Sequence, residues 1–165
     1  MKQAKQSKFY RRLDKKCAIT ILNEVATSLN TRILLKAARR SVLGGTATVS
    51  ISLVDESRSR ALNGLYRGKD YATNVLSFAL TEGEAIPFGF AANLFCGDLV
   101  LCLPVLEQEA VAQNKSLRDH CLHMVVHGML HLQGYDHEAT LEAEEMEALE
   151  AKILLGLGVS NPYLD

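Results

Sequence analysis

The chain has 165 residues, 48% of them hydrophobic and 22% charged, which is enough for one well-formed core and too few for two ordinary domains. Its four cysteines form no Cys-x-x-Cys pair, which argues against a disulfide scaffold and favours reduced thiols in a cytoplasmic protein. No stretch approaches the roughly 20 apolar residues that a membrane span requires. We therefore expect a soluble protein that does not cross or bind a membrane.

The net charge of −1 conceals a division along the chain. Residues 1–75 hold 15 Lys or Arg against 5 Asp or Glu, a net charge of +10, and residues 76–165 hold 3 against 14, a net charge of −11. A basic half favours a polyanionic partner, because clustered cations bind phosphates. The alternative is that the two halves interleave in the fold and neutralise each other, and charge alone does not decide between them.

The first half predicts alternating strands and helices behind a basic N-terminal extension at residues 1–16, with a single domain at 17–165. One strand is especially clear, since Val49, Ile51 and Leu53 alternate with polar residues, as in a strand buried on one face. A helix opening at Asp55 has Ala61, Leu62 and Leu65 as its predicted apolar positions. The predicted elements are a strand at 17–25, a helix at 31–43, a strand at 46–54, a helix from 55, and strands at 74–80 and 98–103.

The second half predicts a long loop followed by helices. The loop, at 81–97, is placed at the rim of a functional site, because loops of that length in small domains are more often functional than idle. Helices are predicted at 106–113, 117–133 and 139–155, the second capped by Ser116. The last helix is predicted to carry Leu141, Met146, Leu149 and Ile153 on one side and glutamates on the other.

Three histidines have the spacing of a metal site. His127 and His131 stand four residues apart and share one helix face, and Gly134 ends the helix so that His137 can return as a third ligand. Three ligands leave one coordination position open, which is typical of catalytic rather than structural zinc. The metal lowers the pKa of a water bound in that position towards neutrality. The pattern therefore predicts metal-assisted hydrolysis.

The residues around these histidines leave some roles open. The same spacing occurs in metzincin proteases, but their general base, a Glu, is replaced here by Gly128. His120 and His123 lie too far along the helix to join the same ion, since a residue rises about 1.5 Å, and are assigned to outer-shell, packing or substrate-side roles. Asp136 could orient a histidine or contact metal-bound water, or it could be a turn residue.

The segment from His127 to His137, HGMLHLQGYDH, closely resembles the signature of the YbeY family of bacterial single-strand-specific endoribonucleases. Two further segments agree with it. Leu62-Asn63, Tyr66-Arg67 and the run from Thr73 to Phe78 are similar to the family's second signature, and residues 97–100 are similar to a strand before the metal helix. The resemblance runs from about Val49 to the C-terminus.

This resemblance implies an α+β (mixed α/β) domain with a small, mostly parallel four-stranded sheet covered by helices, and a metal helix lining a cleft. It implies one zinc ion on His127, His131 and His137, and a catalytic role for Arg67. The implied activity is metal-dependent cleavage of single-stranded RNA in maturation of the 16S ribosomal RNA 3′ end and in ribosome quality control. The implied partners are ribosomal RNA and components of the small ribosomal subunit, and no DNA is expected.

Two other functions remain open at the level of sequence. One is a metzincin-like metallopeptidase or other hydrolase that shares the three-histidine cage, although it would lack the usual Glu. The other is a ribosome-assembly binding factor whose zinc is structural. Undiminished function of a folded His131→Ala protein would favour the binding factor.

Overall fold

The computed structural model describes residues 17–80 and 94–164, so the predicted extension at 1–16 and most of the predicted long loop lie outside the described residues. The division of the chain into an extension and one domain stays a prediction. The described parts form four strands and five helices. These are β1 (Cys17–Asn23), α1 (Thr31–Ser41), β2 (Thr46–Val54), α2 (Glu56–Arg67), β3 (Val75–Ala79), β4 (Leu94–Cys102), α3 (Leu103–Ala112), α4 (Leu117–Leu132) and α5 (Thr140–Leu155).

The strands form one sheet in the order β1-β2-β4-β3. β1 pairs with β2, and β2 with β4, in parallel, whereas β3 is antiparallel to β4 and lies at the edge. The expected α+β fold with a mostly parallel four-stranded sheet is confirmed. Because β3 is the edge strand of the described sheet, one of its sides pairs with no described strand and can border a site.

The core lies mainly on one face of the sheet. The alternating residues Val49, Ile51 and Leu53 are at most 1% exposed, as their period predicts, and they face the buried sides of α1 and α4. A smaller cluster that includes Val54 and Val100 covers the other face, where Leu62 of α2 and Val105 of α3 pack against it. The sheet is therefore layered between helices, with α4 against its main core face.

β4 begins four residues earlier than the predicted strand at 98–103. Leu94 to Gly97 pair in parallel with Thr46 to Val49, so the last residues of the predicted loop are strand. The predicted loop at 81–97 included Gly97, whereas the family resemblance placed Gly97 in a strand, as observed, and its lack of a side chain serves packing. A Cβ at Gly97 would lie 2.6 Å from Leu132 Cδ2 of α4 and 2.7 Å from the Phe78 carbonyl oxygen. Glycine here lets α4 approach the sheet.

Replacement of Gly97 by alanine is expected to destabilise the protein by about 1–3 kcal/mol, because the new methyl group meets a backbone carbonyl that cannot move aside. Urea denaturation of both proteins measures the change. Gly44→Ala is the matched control, since nothing lies within 4 Å of a Cβ at Gly44. Equal stability of the Gly97→Ala and Gly44→Ala proteins would contradict this account of packing.

Two predicted apolar helix faces are wrong in part. In α2, Ala61 and Leu65 are exposed, and the fully buried residues are Ser59 and Asn63, whose side chains bond the backbone of the following loop. In α5, Leu141 is 80% exposed. The buried residues of α5 are Met146, Glu150 and Leu154. Helical periodicity identified both helices, but it could not identify a buried face that contains polar groups.

Candidate metal centre

The helix α4 carries the first two predicted ligands. Its N-terminus is capped as predicted, since the Ser116 hydroxyl oxygen accepts a hydrogen bond of 3.0 Å from the Asp119 amide. One turn apart near the other end, His127 and His131 lie with ring centroids 4.5 Å apart and Nε2 atoms 3.0 Å apart. The two imidazoles therefore face a common point.

A tight turn after α4 returns His137, the third predicted ligand. Gly134 has a φ of 92°, which favours glycine, and the Tyr135 amide donates a 3.1 Å hydrogen bond to the Leu130 carbonyl. The Asp136 side chain accepts a 2.7 Å hydrogen bond from the His137 amide. Of the roles considered for Asp136, this contact supports the turn role directly. The turn brings the His137 ring to 5.1 Å from that of His131.

The turn is also tied to the first half of the chain. The Gln133 amide group donates to the Ser41 carbonyl at 2.7 Å, and its side-chain oxygen accepts from the Leu43 amide at 3.0 Å. These bonds attach the end of α4 to the end of α1. They hold in place the segment that separates the second predicted ligand from the third.

The three histidines fit a single metal ion. Each offers one ring nitrogen, and these three atoms lie within 4.8 Å of one another. Tetrahedral zinc with bonds of about 2.0–2.1 Å places its ligand nitrogens about 3.3 Å apart, so side-chain rotations of modest size complete the geometry. Imidazole nitrogen is also a common ligand of zinc and related transition metals. Among the described residues this is the one such group of His, Cys, Asp and Glu side chains.

A cavity of about 430 Å³ opens beside the three imidazoles. Its walls come from the end of α2, the loop before β3, the side of β3 that pairs with no described strand, the last turns of α4, and the turn that carries His137. The lining residues are Arg67, Thr73, Asn74, Val75, Ser77, Ala79, His127, His131, Leu132, Asp136, His137 and Glu138. The sequence-predicted ligands and Arg67 thus share one cavity.

Local structure at the end of α2 explains the position of Arg67. Asp55 caps the start of the helix by accepting a 2.8 Å hydrogen bond from the Arg58 amide. Gly68, with a φ of 65°, ends the helix in the left-handed conformation immediately after Arg67. Arg67 is exposed, and no ion pair with a described residue occupies its guanidinium. It is therefore available to an anion in the cavity.

Polar contacts fix the loop between α2 and β3. The Ser59 hydroxyl bonds both the amide and the carbonyl of Thr73, at 3.0 and 2.9 Å, and Asn63 donates to the Tyr71 carbonyl at 2.9 Å. The Asn74 amide group then donates to Glu109 of α3, at 3.2 Å to each carboxylate oxygen. These bonds hold Thr73 and Asn74 in the cavity wall opposite the histidines.

Gly128 shows why the protease base has no place here. A Cβ at this position would lie 2.8 Å from Leu99 Cδ2 and 3.3 Å from the Ser77 hydroxyl oxygen, against the sheet. Leu99 is fully buried, so a glutamate side chain has no room. The metallopeptidase alternative loses its usual base for a steric reason as well as a chemical one.

Sequence reasoning missed Glu150, which lies behind His127. The Glu150 side chain is 1% exposed, and its Oε1 accepts a 2.6 Å hydrogen bond from His127 Nδ1. Burial by itself would raise the pKa of the Glu150 carboxyl group, but hydrogen bonds from His123, His127 and Tyr163 outweigh burial and lower that pKa to about 2. Glu150 is therefore a buried carboxylate at neutral pH. The sequence contained one indication of its burial. Glu150 is four residues from both Met146 and Leu154, so it lies on the same helix face as these apolar residues.

The two remaining histidines of α4 also bind carboxylates. His123 Nε2 lies 2.9 Å from Glu150 Oε2, so His123 contacts the carboxylate behind His127, in keeping with its assignment outside the ligand set. His120, which is 3% exposed, lies 2.7 Å from Glu109 through its Nε2. Neither ring contributes to the three-nitrogen group.

The pH dependence of stability is expected to report on His131. Burial, followed by the nearby His127 and His137 charges, lowers the pKa of His131. The unfolded chain therefore takes up this proton first as the pH falls, so the native state loses stability below about pH 6.5. Chelator-treated protein is expected to unfold at less urea at about pH 5.5 than at about pH 7. The loss should be smaller in His131→Gln, and equal losses in both proteins would contradict the prediction.

Comparisons with known proteins identify the family of this chain. A region of three convergent imidazoles beside an open cleft, on a mixed sheet covered by helices, is characteristic of metal-dependent hydrolases. The family model of endoribonuclease YbeY matches residues 10–158. The endoribonuclease YbeY of Chromobacterium violaceum is 49% identical over 167 aligned residues, covering 99% of this chain and 97% of that protein. The corresponding protein of Aromatoleum aromaticum is 50% identical over 133 residues, covering 81% of this chain and 80% of its own.

The chain belongs to the endoribonuclease YbeY family, whose members are nucleases that hydrolyse RNA phosphodiester bonds. A solved structure supports the fold assignment. The solution structure of TM1509 from Thermotoga maritima superimposes with a TM-score of 0.55 and 26% identity, and the match covers 89% of this chain and 99% of that one. The expectation of an endoribonuclease is confirmed, and RNA is the substrate class. Among the described residues, no helix has the length and apolar character that crossing a membrane requires.

Proposed function

We propose that this chain cleaves single-stranded RNA at one zinc ion held by His127, His131 and His137, with Arg67 binding the scissile phosphodiester. The observation that carries the proposal is the shared cavity, because the three ring nitrogens converge within 4.8 Å and Arg67 lines the same walls. When bound there, zinc supplies a Lewis acid and lowers the pKa of water. Phosphate binding is assigned to a side chain of the protein, Arg67.

Arg67 is the group that binds the phosphate. A guanidinium donates two parallel hydrogen bonds to a phosphodiester and neutralises the negative charge that develops on the phosphate oxygens as the nucleophile attacks phosphorus. Arg67 is exposed and unpaired among the described residues, so phosphate binding does not require an existing ion pair to break. Lys69, two residues further on and also exposed, extends the positive surface beyond the cavity.

The attacking nucleophile is either water or the RNA 2′-hydroxyl. Attack by the 2′-hydroxyl leaves a 2′,3′-cyclic phosphate, whereas attack by water does not, so analysis of product ends distinguishes the two. The cavity is bordered by the side of β3 that pairs with no described strand and by the turn at Asp136 to Glu138. Its volume of about 430 Å³ is enough for roughly one nucleotide and too small to enclose a duplex, which supports a preference for single strands.

The biological substrate proposed for this site is ribosomal RNA in the cytoplasm. Membership of the family supports maturation of the 16S RNA 3′ end and ribosome quality control, with small-subunit components as partners. The family is named for endoribonuclease activity, which disfavours the alternative of a binding factor whose zinc is only structural. The open side of the three-nitrogen group also favours a catalytic ion.

The test compares a labelled single-stranded RNA with the same sequence annealed into a duplex. Purified wild-type protein with zinc is expected to cleave the single strand and to leave the duplex intact, and a His127→Ala protein of equal purity is expected to cleave neither. Equal cleavage of the single strand by both proteins would indicate a contaminating nuclease. Cleavage of the duplex at the same rate would contradict single-strand specificity.

A further inference from the structure

Glu150 of α5 lies in the protein interior, where a carboxylate is destabilising unless hydrogen bonds or opposite charges satisfy it. Among the described residues it is the one buried acidic side chain, and it lies between Met146 and Leu154 on the buried side of its helix. Buried charges persist in proteins when hydrogen bonds and opposite charges satisfy them. The identity of its partners therefore indicates what this residue does.

Each oxygen of Glu150 has its own partners. Oε1 accepts the 2.6 Å hydrogen bond from His127 Nδ1. Oε2 accepts a 2.9 Å hydrogen bond from His123 Nε2 and a further hydrogen bond from the Tyr163 hydroxyl group. Because Oε2 is held by two donors, rotation of the carboxylate away from His127 is restricted. Oε1 is thereby directed at the His127 ring.

This contact determines how His127 faces the metal centre. A neutral imidazole that donates through Nδ1 carries its lone pair on Nε2, and Nε2 is the atom that lies 3.0 Å from His131 Nε2. We propose that Glu150 is a positioning residue of the metal site, and that Tyr163 completes it by fixing the carboxylate from the C-terminal segment. The inference rests on the proposed function, because it requires that His127 bind the ion.

The C-terminal segment is well placed for this role. After α5 the chain turns at Gly158, and Leu157 and Val159 are buried in the main core at 6% and 7% exposure. Arg118 of α4 donates to the Leu157 carbonyl at 3.4 Å. These contacts return the chain to α4, where the Tyr163 ring lies edge-on to the His123 ring with centroids 5.6 Å apart. Residues far from the histidine motif in sequence thereby support it.

A second pairing of a carboxylate with a histidine of α4 supplies a control. Glu109 of α3 lies 2.7 Å from His120 Nε2, and it also accepts hydrogen bonds from Asn74. His120 is not one of the three convergent nitrogens. If Glu150 acts by orienting a ligand, loss of its charge should weaken metal binding, and loss of the Glu109 charge should not.

The experiment measures the Kd for Zn²⁺ of the full chain by competition with a chromogenic chelator, for wild type, Glu150→Gln, Tyr163→Phe and Glu109→Gln. Glu150→Gln is expected to weaken binding by about 10–100-fold, as loss of an outer-shell partner does. Tyr163→Phe, which loses one hydrogen bond to the carboxylate, should weaken binding by about 2–10-fold. Glu109→Gln should stay within about twofold of wild type, since its partner binds no ion.

A spectroscopic measurement separates positioning from a general loss of structure. In Co²⁺-substituted protein, Glu150→Gln is expected to shift the visible absorption bands of the ion, and Glu109→Gln to leave them unchanged. Wild-type zinc affinity in Glu150→Gln would overturn the inference alone. If that variant does not fold, wild-type affinity in Tyr163→Phe would overturn it instead. Failure of the wild-type protein to bind zinc would overturn the proposed function itself.

Discussion

His131→Ala protein is expected to remain folded and to lose RNA cleavage by about a thousandfold or more, because the metal contributes several kcal/mol to stabilising the transition state. His131 lies in the last turn of α4 with its ring half-buried, and alanine is the best helix former, so the helix should persist. Cleavage of a labelled single-stranded RNA under single-turnover conditions measures the loss. Circular dichroism and urea denaturation in the presence of chelator establish that the variant is folded.

The same variant separates catalysis from a structural role of the metal. If zinc served only to hold the fold, chelation would destabilise the wild-type protein to the same extent as the substitution, and RNA binding would fall with stability. The structure argues against this, since the three histidines line an open cavity and the core of α4 is formed by Leu122, Val126 and Met129. A folded His131→Ala protein that cleaves RNA as fast as wild type would contradict the assignment of this residue.

Arg67→Ala is expected to lower kcat by about 10²–10³-fold, comparable to the loss of one donor that stabilises a developing anion. Zinc affinity should be unchanged, because Arg67 contributes no atom to the three-nitrogen group. Arg67→Lys keeps the charge but loses the two parallel hydrogen bonds, so its rate should fall between those of alanine and wild type. Rates at saturating RNA, with zinc affinity measured in parallel, test the prediction.

Arg60→Ala is the matched control for Arg67→Ala. Arg60 lies on the same helix, pairs with Asp70 at 2.7 Å, and does not line the metal cavity. Both partners of that pair are largely exposed, so the pair contributes little to stability. The Arg60→Ala protein is expected to cleave RNA at the wild-type rate. An Arg67→Ala protein that matches it would show that Arg67 does not contact the reacting phosphate.

The sequence predicted the parts of the site that follow from local geometry. A spacing of four residues on a helix places His127 and His131 on one face, and Gly134 permits the turn that returns His137. Both features are local and do not depend on how the remainder of the chain folds. The strand at Thr46–Val54 was predicted with its observed bounds for the same reason, since alternation is a local property. Arg67 was predicted through family resemblance alone, because an exposed arginine at a helix end has no distinguishing pattern.

The parts that sequence reasoning missed depend on contacts between distant elements. Glu150 was grouped with the exposed glutamates of α5, although the partners that make it tolerable in the interior, His123, His127 and Tyr163, come from α4 and the C-terminal segment. Gly97 was placed in a loop because its role requires knowing that Leu132 packs on that strand. Tertiary packing, which residue patterns do not encode directly, determines both.

The most direct test of the central claim is a metal titration of the RNA cleavage rate. Protein freed of metal by chelation is expected to be inactive towards single-stranded RNA, and its rate should rise with added Zn²⁺ to a plateau at one ion per chain. His127→Ala protein in the same titration should stay inactive throughout. Full cleavage by metal-free wild-type protein, or a plateau reached equally by His127→Ala, would contradict an active site built on these three histidines.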